Sequence, residues 1–423
     1  MSEKIVIAGS GLASVECIKA IRESGYCGEL LAISDTNLPP FNPMLVTYYA
    51  SGKIEYDEMF PYGCGFDFYD KYGVSRLFGS AVTNIDAENR IIGTAGGKEI
   101  TFSKCAIATG AAPVLPGDFQ TIKEHILTLR TADDAEKLKE MLGSDRKRVL
   151  VVGASMIGIK AAEALLEAGF HVTLADFAKF MFPLAAHENC SAMVQKILRD
   201  KNIRLLFNSP AEKAEKDGDC IRVCFSGGPE AEAFDHIIVC AGTRPNLSFI
   251  DTNQIKADKG ILVNGYMETS AEGVYAAGDV CQAPGIGGEL LVLGLVSNAR
   301  LQGRTAGQNI AGQRVRCPQA VPHNITHFFD NDFAGIGDIN GGDEVYEEVD
   351  EKNNRYIRLV FADKKLTGVN LLNIPEVSGI LKYRLTKGLL TKDDLNEFAD
   401  ESPAMNRLYE KYPGVEKAFA KMR

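Results

Sequence analysis

Two stretches of the chain share one pattern of apolar and polar positions. Near the N-terminus the apolar run "KIVIAG" leads into the loop "GSGLAS" from Gly9 to Ser14, a helical period through "VECIKAIRESG", and a second apolar run, "ELLAISD", ending at Asp35. From residue 148 the segments "RVLVVG", "GASMIG", "IKAAEALLEAG" and "HVTLAD", ending at Asp176, repeat it element for element. An unbroken apolar run closed by glycine predicts a strand buried on both faces, and the switch to a 3.6-residue period predicts a helix. Each copy is therefore read as strand, turn, helix, strand, the opening of a parallel α/β sheet.

The pattern between and after these copies divides the rest of the chain. "CAIATGAAPVLPG", from Cys105 to Gly117, is a strand running into prolines that forbid helix and stiffen a crossing linker; "IIVCAGTRPN", from Ile237 to Asn246, closes the second copy in the same way. "TSAEGVYAAGDVCQA" supplies a short strand with Gly278 and Asp279 at its carboxyl end, and a helix is expected from about Leu293. After Cys317 the pattern turns to antiparallel strands in "HFFDNDFAGIGDIN" and "NNRYIRLVFADKKLTGVNLLN", then a helix in "VSGILKYRLTKG". The tail, 391–423, is helical in period and is read as a helix packed on the body or as a docking element.

Glycine-rich turns that enter helices carry chemistry. Gly9 and Gly153 permit the tight turn at the strand end, Gly11 lets backbone approach a pyrophosphate, and the helix start offers free N–H groups with about half a positive charge. An acid some twenty residues on, Asp35 or Asp176, is placed to accept from ribose hydroxyls. Both loops depart from GxGxxG: Ser14 takes the third glycine's place in the first, and Ser155 the second glycine's place in the other, adding a side chain beside the phosphates. A single such loop is also found as a plain glycine turn; two in one chain point to two dinucleotides.

Composition narrows the class. The 423 residues are 45% hydrophobic and 24% charged, with 41 glycines and a formal charge of -10, which suits a multidomain α/β enzyme and excludes nucleic acid as a partner, since that needs a basic face. No window is apolar enough for a membrane span and no secretory segment precedes the first strand, so a cytoplasmic location is expected. Ten cysteines with no Cys-x-x-Cys are too sparse for a disulfide scaffold. Cys220 and Cys224 are read as packed thiols rather than a zinc pair. His323 and His327 are read as core or interface residues, and no metal site is expected.

Taken in order, Gly9-x-Gly11, "IATGA", the second fingerprint, "AGTRPN" and "VYAAGDV" resemble the two-dinucleotide-fold flavoprotein family that includes pyridine nucleotide-disulfide reductases and rubredoxin and ferredoxin reductases. The resemblance implies an α/β fold of two Rossmann-like domains and a C-terminal α+β interface domain. Its FAD domain would be discontinuous, 1–118 and 245–316, with an NAD domain inserted at 119–244, an interface domain at 317–390 and the tail at 391–423. It implies FAD held by Gly9, Gly11, Leu12, Ala13 and Asp35, with Pro43, Thr109, Gly110, Gly242, Gly278 and Asp279 around the flavin. NAD(H) would be held by Gly153, Ser155, Met156, Ile157, Gly158 and Asp176, the acid favouring NADH over NADPH.

Departures from the family pattern narrow the activity. The segment where disulfide reductases carry their reactive cysteines reads "TNLPPFNPMLVTYYASGKI", which contains none. It resembles the "PPYxRPLLSK" of reductases that serve rubredoxin or ferredoxin, with Pro43 in the arginine's place and Tyr48 in the lysine's. The family's lysine pairs across the flavin with a glutamate, at the position held here by Lys160, so both partners have changed together. Lys160 and Tyr48 are the candidate catalytic residues, Lys160 as a replacement cation near flavin N5; the alternative is a lysine on an exposed helix face. "GASMIGIK" with "PPFNPM" also resembles the epsilon-subunit type of phenylglyoxylate dehydrogenase. The expected activity is hydride exchange between NAD(H) and FAD, with electrons passing to or from a ferredoxin-, rubredoxin- or iron-sulfur-subunit partner, in a homodimer or a larger complex. The rivals are a stand-alone reductase of oxygen, quinone or a disulfide, the last by way of Cys64, and a non-catalytic nucleotide-binding subunit.

Overall fold

In the computed structural model the described residues are 3–145, 147–227, 231–387, 410, 411 and 414. Most of the 391–423 tail, with its expected helix, lies outside them. From the N-terminus run β1 (Ile5–Ala8), α1 (Leu12–Glu23), β2 (Leu30–Ile33), α2 (Val46–Ala50), α3 (Asp67–Lys71), β3 (Val74–Leu77), β4 (Val82–Asp86), β5 (Ile91–Thr94), β6 (Glu99–Thr101), β7 (Lys104–Ile107) and β8 (Ala111–Pro113). There follow β9 (Ile126–Thr128), α4 (Ala132–Leu142), β10 (Arg148–Val152), α5 (Met156–Glu167), β11 (His171–Ala175), α6 (Glu188–Asp200), β12 (Arg204–Leu206), β13 (Ala211–Asp217), β14 (Cys220–Phe225), β15 (Glu232–Phe234) and β16 (His236–Val239). The last part holds β17 (Thr243–Pro245), β18 (Ile261–Leu262), β19 (Val274–Ala276), β20 (Cys281–Pro284), β21 (Leu290–Leu291), α7 (Val296–Ile310), β22 (His323–Phe328), β23 (Asn331–Gly337), β24 (Glu344–Asp350), β25 (Arg355–Ala362), β26 (Lys365–Leu372) and α8 (Ser378–Lys387).

The chain forms two compact units. The first takes residues 1–114, 129–139 and 242–320; the second takes 115–128, 140–241 and the chain from 321 on. The first is built on a parallel sheet in the order β19-β7-β1-β2-β3, with β4, β5 and β6 as an antiparallel meander and β8 paired with β17. Helix α1 has Val15, Ile18 and Ile21, three residues apart, wholly buried with Ile5, Val6 and Ile7 of the central strand. Each such burial is worth roughly 1.5–3 kcal/mol. Helix α7 lies against α1 so closely that a Cβ on Gly303 would stand 2.2 Å from the Ala13 carbonyl oxygen, and one on Gly307 2.3 Å from that of Cys17.

The second unit holds a parallel sheet ordered β12-β11-β10-β16-β9, the meander β13-β14-β15, and an antiparallel sheet ordered β22-β23-β26-β25-β24. The two parallel sheets correspond strand for strand: β1 with β10, β2 with β11, β3 with β12, β7 with β16, and β19 with β9. In chain order the repeat extends beyond the opening βαβ to four strands of each sheet and to the meander, while the edge strands match only by place, β9 preceding its copy and β19 following both. The antiparallel sheet encloses its own core of Ile336, Leu359, Val369 and Leu381.

Candidate functional site

In the first unit the sequence-predicted cradle forms at the carboxyl end of β1. Gly9 has φ +118, a conformation open to glycine, and a Cβ there would stand 2.2 Å from the Ala108 carbonyl oxygen. Gly11 is the N-cap of α1, with no side-chain cap and no atom within 4 Å of where a Cβ would be. The amides of Leu12, Ala13 and Ser14 begin the helix and have no intrahelical acceptor. Such helix-start amides are the donors a pyrophosphate requires. Ser14 is fully buried, and its hydroxyl has no hydrogen-bond partner within the protein. Asp35 stands exposed two residues beyond β2, beside the Ser34 hydroxyl, which lies 2.9 Å from that of Ser10.

Other expected flavin-side residues gather at the carboxyl ends of β7 and β19. Thr109 is exposed and Gly110 takes φ +72. Gly278, at φ +82, donates its N–H to the Gln302 side chain at 2.9 Å and lies where a Cβ would be 3.1 Å from Ala13 Cβ. Asp279 is ion-paired with Arg130 at 2.8 Å. Arg130 was not singled out from sequence. A readable signal precedes α4: Thr131 Oγ1 accepts from Asp134 N–H at 3.0 Å while the Asp134 carboxylate accepts from Thr131 N–H at 2.9 Å, a capping box that presents Arg130 at the head of the helix. Its guanidinium also passes 3.7 Å from the Gly110 Cβ direction.

In the second unit Gly153 takes φ +112 with the Cys240 carbonyl oxygen 2.4 Å from its Cβ direction, and Gly158 has the Gly153 carbonyl oxygen at 2.1 Å. Both positions therefore exclude any larger residue. The Ser155 hydroxyl accepts from Gly158 N–H at 3.1 Å and donates to the Cys240 carbonyl at 3.0 Å. It thus caps its own helix, which leaves the amides of Met156 and Ile157 as the open donors. Asp176 accepts from Ala154 N–H at 2.6 Å and Ala178 N–H at 2.8 Å, so the carboxylate is fixed to the glycine loop. Phe177, immediately after it, is 75% exposed.

Residues 3–303 match the pyridine nucleotide-disulphide oxidoreductase family. The chain belongs to that family. It is 30% identical over 374 residues to the NADH-dependent phenylglyoxylate dehydrogenase subunit epsilon of Aromatoleum evansii, covering 86% of this chain and 87% of that one. Its identity to the NADH-rubredoxin oxidoreductase of Clostridium acetobutylicum is 26% over 414 residues, 96% of this chain and the whole of that one. The covalent putidaredoxin reductase-putidaredoxin complex shares the fold at TM-score 0.85 and 23% identity, with 93% of this chain and 95% of that one covered. Like the family, this oxidoreductase has an α/β fold and depends on FAD and NAD(H). The two cradles fit such dinucleotides: Gly9, Gly153 and Gly158 sit where a Cβ has no room, Gly11 leaves open space at the start of α1, and helix-start amides without intrahelical acceptors follow both loops.

Five of the cysteines are buried in the core. Burial pushes the thiols of Cys17 and Cys240 up to about 12, and those of Cys105, Cys190 and Cys281 higher still. Cys64 is exposed, with its thiol held above the usual value by partial desolvation and by Asp57. All ten cysteines are free. Cys220 and Cys224 are half-buried on β14. His323 and His327 lie on β22, bonded to the Val321 carbonyl and to Asp332. Among the described residues no group of three His, Cys, Asp or Glu side chains converges as a metal site, and no helix is long and apolar enough to cross a membrane.

The candidate catalytic residues take unequal positions. Tyr48 is half-buried on α2; Pro43 begins a short 3-10 turn capped by Asn42, whose side chain accepts from Met44 N–H at 3.1 Å. The neighbouring Tyr49 ties α2 to α4, through a 2.7 Å bond to Glu136 and Lys139 standing 4.2 Å over its ring. Lys160 is not on an exposed helix face: its side chain is 14% exposed and ion-paired with Glu163, itself 7% exposed. Gly242 takes φ +93 with open space at its Cβ direction.

Proposed function

We propose that this oxidoreductase is an electron-transfer component, taking hydride from NADH and passing electrons to a protein or iron-sulfur acceptor. When bound, FAD and NAD(H) supply the hydride exchange and the flavin supplies the step to one-electron carriers. Gly9, Gly11 and the amides of Leu12 and Ala13 hold the FAD pyrophosphate, Asp35 its ribose, and Asp279, oriented by Arg130, the ribityl chain. Pro43, Thr109, Gly110, Gly242 and Gly278 shape the flavin pocket. Gly153, Gly158 and the amides of Met156 and Ile157 hold NAD(H), with Asp176 on the ribose and Ser155 keeping the loop in shape. Lys160 and Tyr48 are the side chains proposed to stand beside the reacting rings.

One observation carries this reading: two nucleotide cradles occur in a chain whose segment 36–54, the place where the disulfide reductases of the family carry their reactive cysteines, contains no cysteine, so no thiol relay follows the flavin. The relatives named above include an NADH-rubredoxin oxidoreductase and a dehydrogenase subunit, which supports a protein acceptor or membership of a complex; a homodimer and a cytoplasmic location belong to the same proposal. The test is anaerobic mixing with NADH. The visible flavin absorbance should bleach within the mixing time scale of turnover, recover only slowly with oxygen, quinone or disulfide, and recover rapidly with oxidised rubredoxin or ferredoxin. Rapid turnover with a small acceptor alone would favour the stand-alone reductase, and failure of NADH to bleach the flavin would favour a nucleotide-binding subunit without catalysis.

A further inference from the structure

The ion pair on α5 has a third member far away in sequence. Glu163 is 5% exposed; one carboxylate oxygen takes the Lys160 ammonium and the other accepts the backbone N–H of Phe329 at 3.0 Å. Phe329 and Asp330 form the two-residue turn between β22 and β23, at φ +42 and +64. Two non-glycine residues in the left-handed region cost free energy, and the turn keeps them because it is held from several sides. Asn331 donates to the Phe329 carbonyl at 2.7 Å, and Lys201 stands 5.6 Å from the Phe329 ring. The same hairpin props the glycine loop: Phe182 packs its ring 4.8 Å from Phe333 and 6.5 Å from Phe328, and its N–H donates to the Ala154 carbonyl at 3.1 Å.

We propose that Glu163 is the positioning residue for Lys160: it neutralises the ammonium beside the second cradle and, through Phe329 N–H, lets the C-terminal sheet fix where that charge stands. A buried cation with a fixed counter-ion adds little net field at the nicotinamide, so the cationic ring of NAD+ and the neutral ring of its reduced form are both accepted. Removing the carboxylate takes away that counter-charge and leaves more positive charge facing the ring. The inference rests on the reading that the second cradle takes NAD(H) with Lys160 near its nicotinamide.

The test uses the flavin-loaded enzyme and calorimetric dissociation constants for two probes, NAD+ and tetrahydro-NAD, an unreactive analogue with an uncharged ring. Glu163→Gln keeps an oxygen for Phe329 N–H but loses the charge, and should raise the ratio of the two constants, NAD+ over analogue, by about tenfold for a unit charge in a partly screened site. Lys160→Met leaves the carboxylate uncompensated and should shift the ratio the other way; the double variant is neutral again and should return it close to wild type. A role confined to structure would weaken both probes alike and leave the ratio still. If Lys160→Met moves the ratio and Glu163→Gln does not, the positioning role is overturned while the reading of the cradle stands; if neither moves it, the placement of Lys160 falls, and this proposal with it. Should Glu163→Gln alone fail to fold, the double variant compared with Lys160→Met decides: loss of Glu163 must reverse the shift, and no reversal overturns the proposal.

Discussion

Replacing Ser155 separates two roles that its hydroxyl could play. The structure assigns that hydroxyl inward, with a 3.1 Å bond accepted from Gly158 N–H and a 3.0 Å bond donated to the Cys240 carbonyl. An N-cap serine replaced by alanine costs about 0.5–2 kcal/mol, and a neutral hydrogen bond contributes roughly 0.5–1.5 kcal/mol net. Ser155→Ala is therefore expected to destabilise the second unit by about 1–2 kcal/mol. In a unit of this size that lowers its melting transition by roughly 2–8 °C. Ser155→Gly, which restores the family's glycine, should cost only a few tenths of a kcal/mol from the lost cap, because an N-cap glycine leaves the helix amides to solvent. Either change frees the Gly158 amide, so affinity for NAD+ should hold or tighten. Differential scanning calorimetry of the apoprotein and NAD+ titration of the flavin-loaded enzyme measure the two quantities. Affinity that falls tenfold in both variants while the melting transition stays put would show that the hydroxyl serves the phosphates, and would refute the capping argument.

Two further expectations follow from pairs that are local to one unit. Arg130→Met removes the partner of Asp279 and leaves a carboxylate that is 12% exposed without its cation, so the purified protein should carry substantially less FAD, read as the ratio of flavin to protein absorbance, while its NAD+ affinity is unchanged; full flavin content would remove Arg130 from the site. Arg148 holds the Asp235 carboxyl down to about 2 through hydrogen bonds and charge, partly offset by desolvation. A depressed carboxyl stabilises the fold above its unfolded value near 3.8 and loses that contribution as pH falls towards 2, so Asp235→Asn should flatten the fall in urea stability between about pH 4 and pH 2, and an unaltered slope would contradict the assignment.

The cradles were legible because what they need is local. A glycine turn, an apolar run and a 3.6-residue period all lie within about thirty consecutive residues, so Gly9, Gly11, Gly153, Gly158, Asp35 and Asp176 fall where the spacing puts them. The repeat predicted the opening strand, helix and strand of each sheet; the meanders were not read from it. Partners far apart in sequence were not legible. Arg130 meets Asp279 across 149 residues and Glu163 meets Phe329 across 166; each depends on which strand ends lie side by side, which apolar patterning does not specify. Ser155 shows the remaining kind of limit. Its position beside the phosphates was readable, but whether its hydroxyl turns outward or caps the helix depends on the Cys240 carbonyl, brought in by β16.

The repeat also explains why the lysine that stands out in the second fingerprint is more than helix decoration. An offset of 144 residues sets Glu16 and Lys19 of α1 against Lys160 and Glu163 of α5, the same two helix positions with the charges exchanged. In α1 the order is acid first, the orientation that stabilises a helix by a few tenths of a kcal/mol. Burial acts against the Glu16 charge, but Lys19 and Arg300, both 3.2 Å away, more than offset it and leave its carboxyl below the usual range. In α5 the order is reversed, against helix preference, and the acid has moved one turn further on to where Phe329 N–H can reach it. Helix stability alone would have kept the first order. The exchange is accounted for if a cation, rather than an anion, is required two residues past the glycine loop, and if its counter-charge has to be anchored by something other than the helix that carries both.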